Sequence, residues 1–294
     1  MDKMIRLLDG SQLKAGLTGP SGAPVLMLPV AKESVYGQEA DHLRQWGVDP
    51  ELGEHFIAGL RDKFQVLYFD YEGHRLRQPN PLDLTASSIA QDLLTIAGEM
   101  NVSKFSYYGY SWLALAGLQL AIRTDRLESL LMGGFPPLDG PYAEMLIVTN
   151  HTYMMALSQP APADPAETEQ KTAAPEATDW DNIQIQMDPE QTRQFVTLYD
   201  SLADFRDRDI QHLLRMPRLA FAGEQDKIVY GDNFGGVTVD IAGKLVEHLP
   251  LLEQLGWDVA ILKGSGMDHT KAMQPETVLP VLRPWLIRNV LRES

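Results

Sequence analysis

Ser111, Asp226 and His269 are the residues of this 294-residue chain whose types and settings could together do acyl-transfer chemistry. A serine hydroxyl is a weak nucleophile near neutral pH. It becomes effective when an imidazole takes its proton and a carboxylate orients that imidazole. Ser111 sits in "FSYYGYSWLALAG", an aromatic run of strand character that gives way to an apolar run of helical character. A serine exposed on so sharp a turn adopts backbone angles that cost about 1–3 kcal/mol, so small neighbours relieve the crowding. Gly109 provides one before the serine, whereas the matching position after it holds Leu113, and Ala114 and Gly117 come later. Asp226 follows the apolar run "RLAFAG", and His269 follows "DVAILKG" in the segment "GSGMDH". Each of the three therefore stands just past a predicted strand.

The elements that must position them alternate along the chain. "IRLLDGSQLKAGLTG" reads as two antiparallel strands around Asp9-Gly10, a dipeptide suited to the positive φ angles of a tight turn. "APVLMLPVA" and "FQVLYFD" are continuous apolar runs, as expected of interior parallel strands covered on both faces. Between them "PELGEHFIAGLRDKF" has helical spacing, with Pro50 placed for a first turn. The alternation continues with helix "TASSIAQDLLTIAGEM", strand "KFSYYGY", helix "WLALAGLQLAIR" and strand "LESLLMGG". It resumes with strand "RLAFAG", a single helix over "VDIAGKLVEHLPLLEQLG", strand "DVAILKG" and a closing helix from Pro275. This predicts an α/β fold, a mostly parallel central sheet with helices on both faces. In such sheets ligands bind beyond the carboxyl ends of the strands, where Ser111, Asp226 and His269 can converge.

The rhythm breaks over residues 136–216, too long for an ordinary connection. Its flanks, "YAEMLIVTNHTYMMAL" and "DPEQTRQFVTLYDSLADF", have helical periodicity, and Met145, Met154 and Met155 suit gap-filling in a small core. Its middle is rich in Pro, Ala and acids, which predicts a mobile loop over about 158–182. The expected organisation is a core in two parts, 1–138 and 214–294, with a helical cap inserted over 139–213 after the sixth strand.

With these residues in place the chain resembles the α/β-hydrolase fold superfamily over nearly its whole length. The likeness rests on "LLDGSQLKAGLTGPSGAPVLMLP", "YFDYEGHRLRQP", "GYSW", "AGEQDKIV", "GSGMDH" and the order Ser, Asp, His. The resemblance implies Ser111 as nucleophile, Asp226 as acid and His269 as base. It also implies an oxyanion hole from the backbone N–H of Trp112 and that of Ala31 or Val30. The chain departs from the common pattern at Pro29-Val30, where most members carry His-Gly, at Leu113, and in "DYEGHRLRQ", where a Gly-x-Gly is usual.

Other residues compete for these roles. Glu224 shares the loop of Asp226, and Asp139 in "GGFPPLDG" stands where some relatives draw the acid, although its Pro and Gly neighbours suit a turn. Asp268, adjacent to His269, is a solvated loop acid on this reading. His74, Arg75 and Arg77 form a cationic patch in a loop, either near the site mouth or as a solvated or structural turn. Trp112, Tyr107, Tyr108 and Tyr110 could line an acyl pocket, with strand and helix packing as the alternative for each; Trp112 and Tyr110 are the candidate substrate-binding residues. His42, His55, His151, His212 and His248 have no metal-ligand spacing, and neither metal nor cofactor is expected.

The bulk numbers narrow the class further. A net charge of −15 and 44% apolar content point to a large-cored protein that repels phosphate backbones and anionic membranes. Nucleic acid and membranes are thus not expected partners. No cysteine is present, no signal-like segment opens the chain, and a cytoplasmic setting is expected. The leading expectation is a serine hydrolase of small neutral or apolar esters, lactones or related acyl substrates. Its rival is a non-catalytic member of the same fold that binds small molecules or protein partners. The sequence leaves the oligomeric state open.

Overall fold

The computed structural model describes residues 2–159 and 188–291. Strands β1 (Asp2–Arg6) and β2 (Gln12–Thr18) form the expected antiparallel pair, joined by a loop in which Gly10 adopts φ +86°. β3 (Val25–Leu28), β4 (Gln65–Tyr68), β5 (Phe105–Tyr110), β6 (Leu127–Gly133) and β7 (Arg218–Gly223) follow. With a last strand that is β10 in chain order (Trp257–Leu262), they complete an eight-stranded sheet in the order β1-β2-β4-β3-β5-β6-β7-β10. From β4 to β10 every neighbouring pair is parallel. β5 and β7 are buried at every residue, which explains why their sequences are continuous apolar runs rather than alternating ones.

The helices cover both faces. α1 (Gly37–Gln45), which the sequence did not announce, and α2 (Leu52–Leu60) lie between β3 and β4; α3 (Tyr71–Arg77) and α4 (Ala86–Glu99) lie between β4 and β5. α4 begins with a capping box of Thr85 and Ser88 and packs on α5 (Trp112–Ala121). All ten residues of α5 are buried, and all but Gln119 are apolar or glycine. Pro50 precedes α2 rather than opening its first turn.

Past β6 come α6 (Tyr142–Ser158), α7 (Pro189–Asp200) and the short α8 (Asp207–Ile210). α6 and α7 are the two helices expected in the insertion, and they pack together. Apart from residues 158 and 159, the expected mobile loop lies outside the described residues. α7 is fixed to the core through amide side chains: Gln194 Nε2 donates to the Arg75 carbonyl at 3.0 Å, and Gln194 Oε1 accepts from Asn80 N–H at 3.2 Å.

Two expectations fail for local reasons. "VDIAGKLVEHLPLLEQLG" is not one helix. Its first residues belong to β9 (Thr238–Asp240), paired with β8 (Lys227–Val229), and the rest divides into α9 (Ile241–Glu247) and α10 (Leu249–Gln254). Pro250 has no N–H to continue α9 but fits the first turn of a new helix. The supposed cationic loop is the helix α3, with His74 and Arg75 buried. Arg75 pairs with Asp9, and through Nη2 with Asp92 at 2.6 Å, while the Tyr71 hydroxyl also donates to Asp92 at 2.7 Å. This cluster joins the first hairpin to α3 and α4. α11 (Pro275–Val290) closes the chain as expected, and no helix among the described residues is long and apolar enough to cross a membrane.

Candidate active site

The sheet order fixes where a site must form. The chain leaves β3 toward β4 on one side and later returns as β5 on the other. The loops after β3 and β5 therefore flank a crevice at the carboxyl ends of the strands. Ser111 stands at this point, the single residue between β5 and α5, with φ 55° and ψ −130°. These angles are strained for a non-glycine residue, and hydrogen bonds on both sides maintain them. Ser111 N–H donates to the Gly133 carbonyl at 2.8 Å, and the Ser111 carbonyl accepts from Ala114 N–H at 2.8 Å.

Leu113 does not prevent the turn, because the crowding is relieved on the other limb. A Cβ added to Gly109 would lie 2.3 Å from the Leu113 carbonyl oxygen. The Tyr107 hydroxyl, wholly buried, donates to that same oxygen at 2.7 Å. Leu113 itself is packed in the core.

Asp226 and His269 are brought together. His269 Nδ1 lies 3.0 Å from each carboxylate oxygen of Asp226, whose side chain is fully buried. The loop carrying His269 is tied down by its backbone: Gln225 N–H donates to the Met267 carbonyl at 3.0 Å. Tyr110 lies beneath the histidine, its hydroxyl donating to the His269 carbonyl at 2.8 Å and its ring 5.0 Å from the imidazole. Gly134, at φ +62°, completes the cradle, since a Cβ there would lie 2.8 Å from His269 Cε1. Sequence reasoning missed Gly134; its only sequence trace is the Gly-Gly pair that ends β6.

Ser111 follows β5, with β6 between it and β7; its neighbour Tyr110 is the residue that touches His269, and Ser111 itself shares no hydrogen bond with His269. The competing acids are engaged elsewhere. Glu224 accepts Gly264 N–H at 2.9 Å, and Asp139, at φ 50°, pairs with Arg208 at 2.6 Å and His248 at 2.9 Å.

Across the crevice, Val30 bridges Asp70, and Lys32 N–H donates to the Val30 carbonyl at 2.9 Å, which places Ala31 at the centre of a tight turn. Neither Val30 N–H nor Trp112 N–H has an acceptor among the described residues. Trp112 is first in α5, where N–H groups have no intrahelical partner and the helix dipole favours negative charge. Its indole meets Phe195 of α7 edge-on at 5.4 Å, so α7 packs against the elbow. The indole N–H donates to Glu72 at 2.9 Å. Burial pushes the Glu72 carboxyl up, but the Lys32 ammonium and this N–H outweigh it and hold the group below its usual value.

This strand order, with the serine turn and the Asp226–His269 pair at the strand ends, is that of one architecture. The chain has the α/β-hydrolase fold. A hydrolase from Pseudomonas aeruginosa PA01 is similar over 97% of this chain and 98% of its own, at 18% identity and TM-score 0.61. The naproxen esterase of Bacillus subtilis is similar over 97% of this chain and 91% of its own, at 17% identity and TM-score 0.55. A stretch of 77 residues is 32% identical to a candidate carbamate hydrolase, RutD, of Agrobacterium fabrum, spanning 26% of this chain and 30% of that protein. No family model matches the chain.

Proposed function

We propose that the protein is a serine hydrolase of small neutral or apolar acyl substrates, esters or lactones first among them. The observation that carries this reading is Ser111 at φ 55° on the strand–helix turn, directly after Tyr110, whose hydroxyl and ring hold a histidine paired with a buried aspartate. Structures of the same fold with hydrolase and esterase names agree with it.

Asp226 accepts the Nδ1 proton of His269, which leaves Nε2 with a lone pair turned outward. Nε2 takes the Ser111 proton as Oγ attacks the substrate carbonyl. The carbonyl oxygen, now an anion, is stabilised by the Trp112 N–H and by that of Val30 or Ala31. Collapse of the tetrahedral intermediate breaks the bond to the leaving group, which receives the proton from Nε2. Water, deprotonated by the same nitrogen, then releases the acid and restores Ser111. Tyr110, committed to the His269 carbonyl, supports the base rather than the substrate. Trp112, next to Ser111, packs on Phe195, and aromatic side chains so close to the nucleophile are in keeping with an uncharged acyl group.

The test is fluorophosphonate labelling with peptide mapping, alongside a panel of p-nitrophenyl esters and lactones. A covalent adduct on Ser111, and loss of nearly all turnover in Ser111→Ala, by up to about 10⁶-fold for a triad that acts as a unit, are expected. Wild-type turnover in Ser111→Ala would overturn Ser111 as the nucleophile, and no adduct together with no turnover on the panel would favour a binding module instead.

A further inference from the structure

The surroundings of both oxyanion donors converge on one carboxylate. Glu72 Oε1 accepts the indole N–H of Trp112 at 2.9 Å, and Glu72 Oε2 pairs with the Lys32 ammonium at 2.7 Å. Trp112 directly follows the nucleophile. Lys32 directly follows Ala31, and its own N–H closes the turn on the Val30 carbonyl. Packing alone does not pin this turn. Gly53 of α2 approaches it so closely that a Cβ would lie 2.3 Å from the Lys32 carbonyl oxygen, yet a cleft of about 260 Å³, bordered by Ala31, Lys32 and Asp70, opens beside it. The turn also lacks the His-Gly that most members of the fold carry there, with Pro29-Val30 in its place.

We propose that Glu72 and Lys32 are positioning residues for the oxyanion hole, a Lys32–Glu72–Trp112 clamp that ties the turn after β3 to the start of α5 across the crevice. The inference rests on the serine hydrolase reading. The side chains of Lys32 and Glu72 are 43% and 29% exposed, so the pair adds little to global stability, and its effect is on where the two N–H donors stand. Donors must meet the forming oxyanion within a few tenths of an ångström, and small displacements are costly in rate.

The experiment needs no knowledge of the natural substrate. A fluorophosphonate places its P=O in the oxyanion hole as it labels Ser111. The maximal labelling rate therefore reads the hole, while the half-saturating concentration reads binding. Lys32→Met and Glu72→Gln, the latter still able to accept the indole N–H, should each slow maximal labelling about 10- to 100-fold. Half-saturation should stay within about threefold, with the melting temperature unchanged. Lys32→Arg should recover most of the rate, and Lys32→Met with Glu72→Gln together should be no slower than the slower single variant. Wild-type labelling rates in both single variants, or a loss matched by a fall in melting temperature, overturn the clamp while Ser111→Ala stays unlabelled. Labelling that persists in Ser111→Ala overturns the hydrolase reading and the clamp with it.

Discussion

Replacing Asp226 by Asn tests the site at its most constrained point. In the wild type both carboxylate oxygens lie 3.0 Å from His269 Nδ1, and the carboxylate is fully buried, so it accepts the Nδ1 proton in a fixed orientation. An amide of the same shape offers one acceptor and one donor. When its NH₂ faces Nδ1, the imidazole proton moves to Nε2, and the base can no longer accept from Ser111. It also removes the negative charge that stabilises the imidazolium formed during attack. In a serine protease triad the same substitution lowers kcat by about 10⁴, close to 5.5 kcal/mol of barrier. With Asp226 fully buried and held to His269 on both oxygens, a loss of about 10³–10⁴ is expected here. The assay is kcat and KM on the best ester of the panel, with the melting temperature and the fluorophosphonate labelling rate measured alongside. KM should change little. Turnover within tenfold of wild type would refute the argument, because an imidazole free to choose its tautomer would then suffice.

Asp139→Asn should leave turnover within about threefold, since Asp139 serves Arg208 and His248 rather than His269; a 10³-fold loss would move the acid there. Gly134→Ala forces a methyl group against His269 Cε1 at a positive φ, and should lower turnover at least tenfold and stability by about 1–2 kcal/mol, read by kinetics and urea melts. Tyr107→Phe leaves the Leu113 carbonyl without its buried donor and should cost about 1–2 kcal/mol of unfolding free energy. His74 should contribute to acid stability. Burial, with the cations of Arg75 and Arg77, lowers it to about 4 against the pull of Asp9. Ser11 already gives its proton to Asp9, so the neutral His74 Nε2–H donates to Ser11 Oγ at 2.9 Å. A folded pKa below the unfolded one means that the unfolded chain binds more protons between about pH 6.5 and 4. Stability should therefore fall by about 3 kcal/mol as pH drops through that window, and His74→Gln should flatten this slope in urea melts.

Much of the molecule was legible in its residues, and the reason is period and punctuation. Fully covered strands such as "FSYYGY" and "RLAFAG" read as continuous apolar runs, and the helix after Ser111 reads as apolar at all but Gln119 because it is buried all round. Ser111, Asp226 and His269 could be proposed from the sequence because each stands where an apolar run stops, and a parallel sheet gathers such ends on one edge. Pattern could not choose among partners. Asp226, Glu224 and Asp139 all follow strands, and only tertiary placement sends Asp226 to His269, Glu224 to a backbone N–H and Asp139 to Arg208. Nor does a sequence show that Gly134 makes room for an imidazole 135 positions later, or that Arg75 is buried between Asp9 and Asp92 rather than solvated. The Glu72 link between Lys32 and Trp112 was equally hidden. Local pattern is set by which face of an element meets the core. Pairing between charges far apart in the chain is set by how those elements cross, and that is decided only when the chain closes on itself.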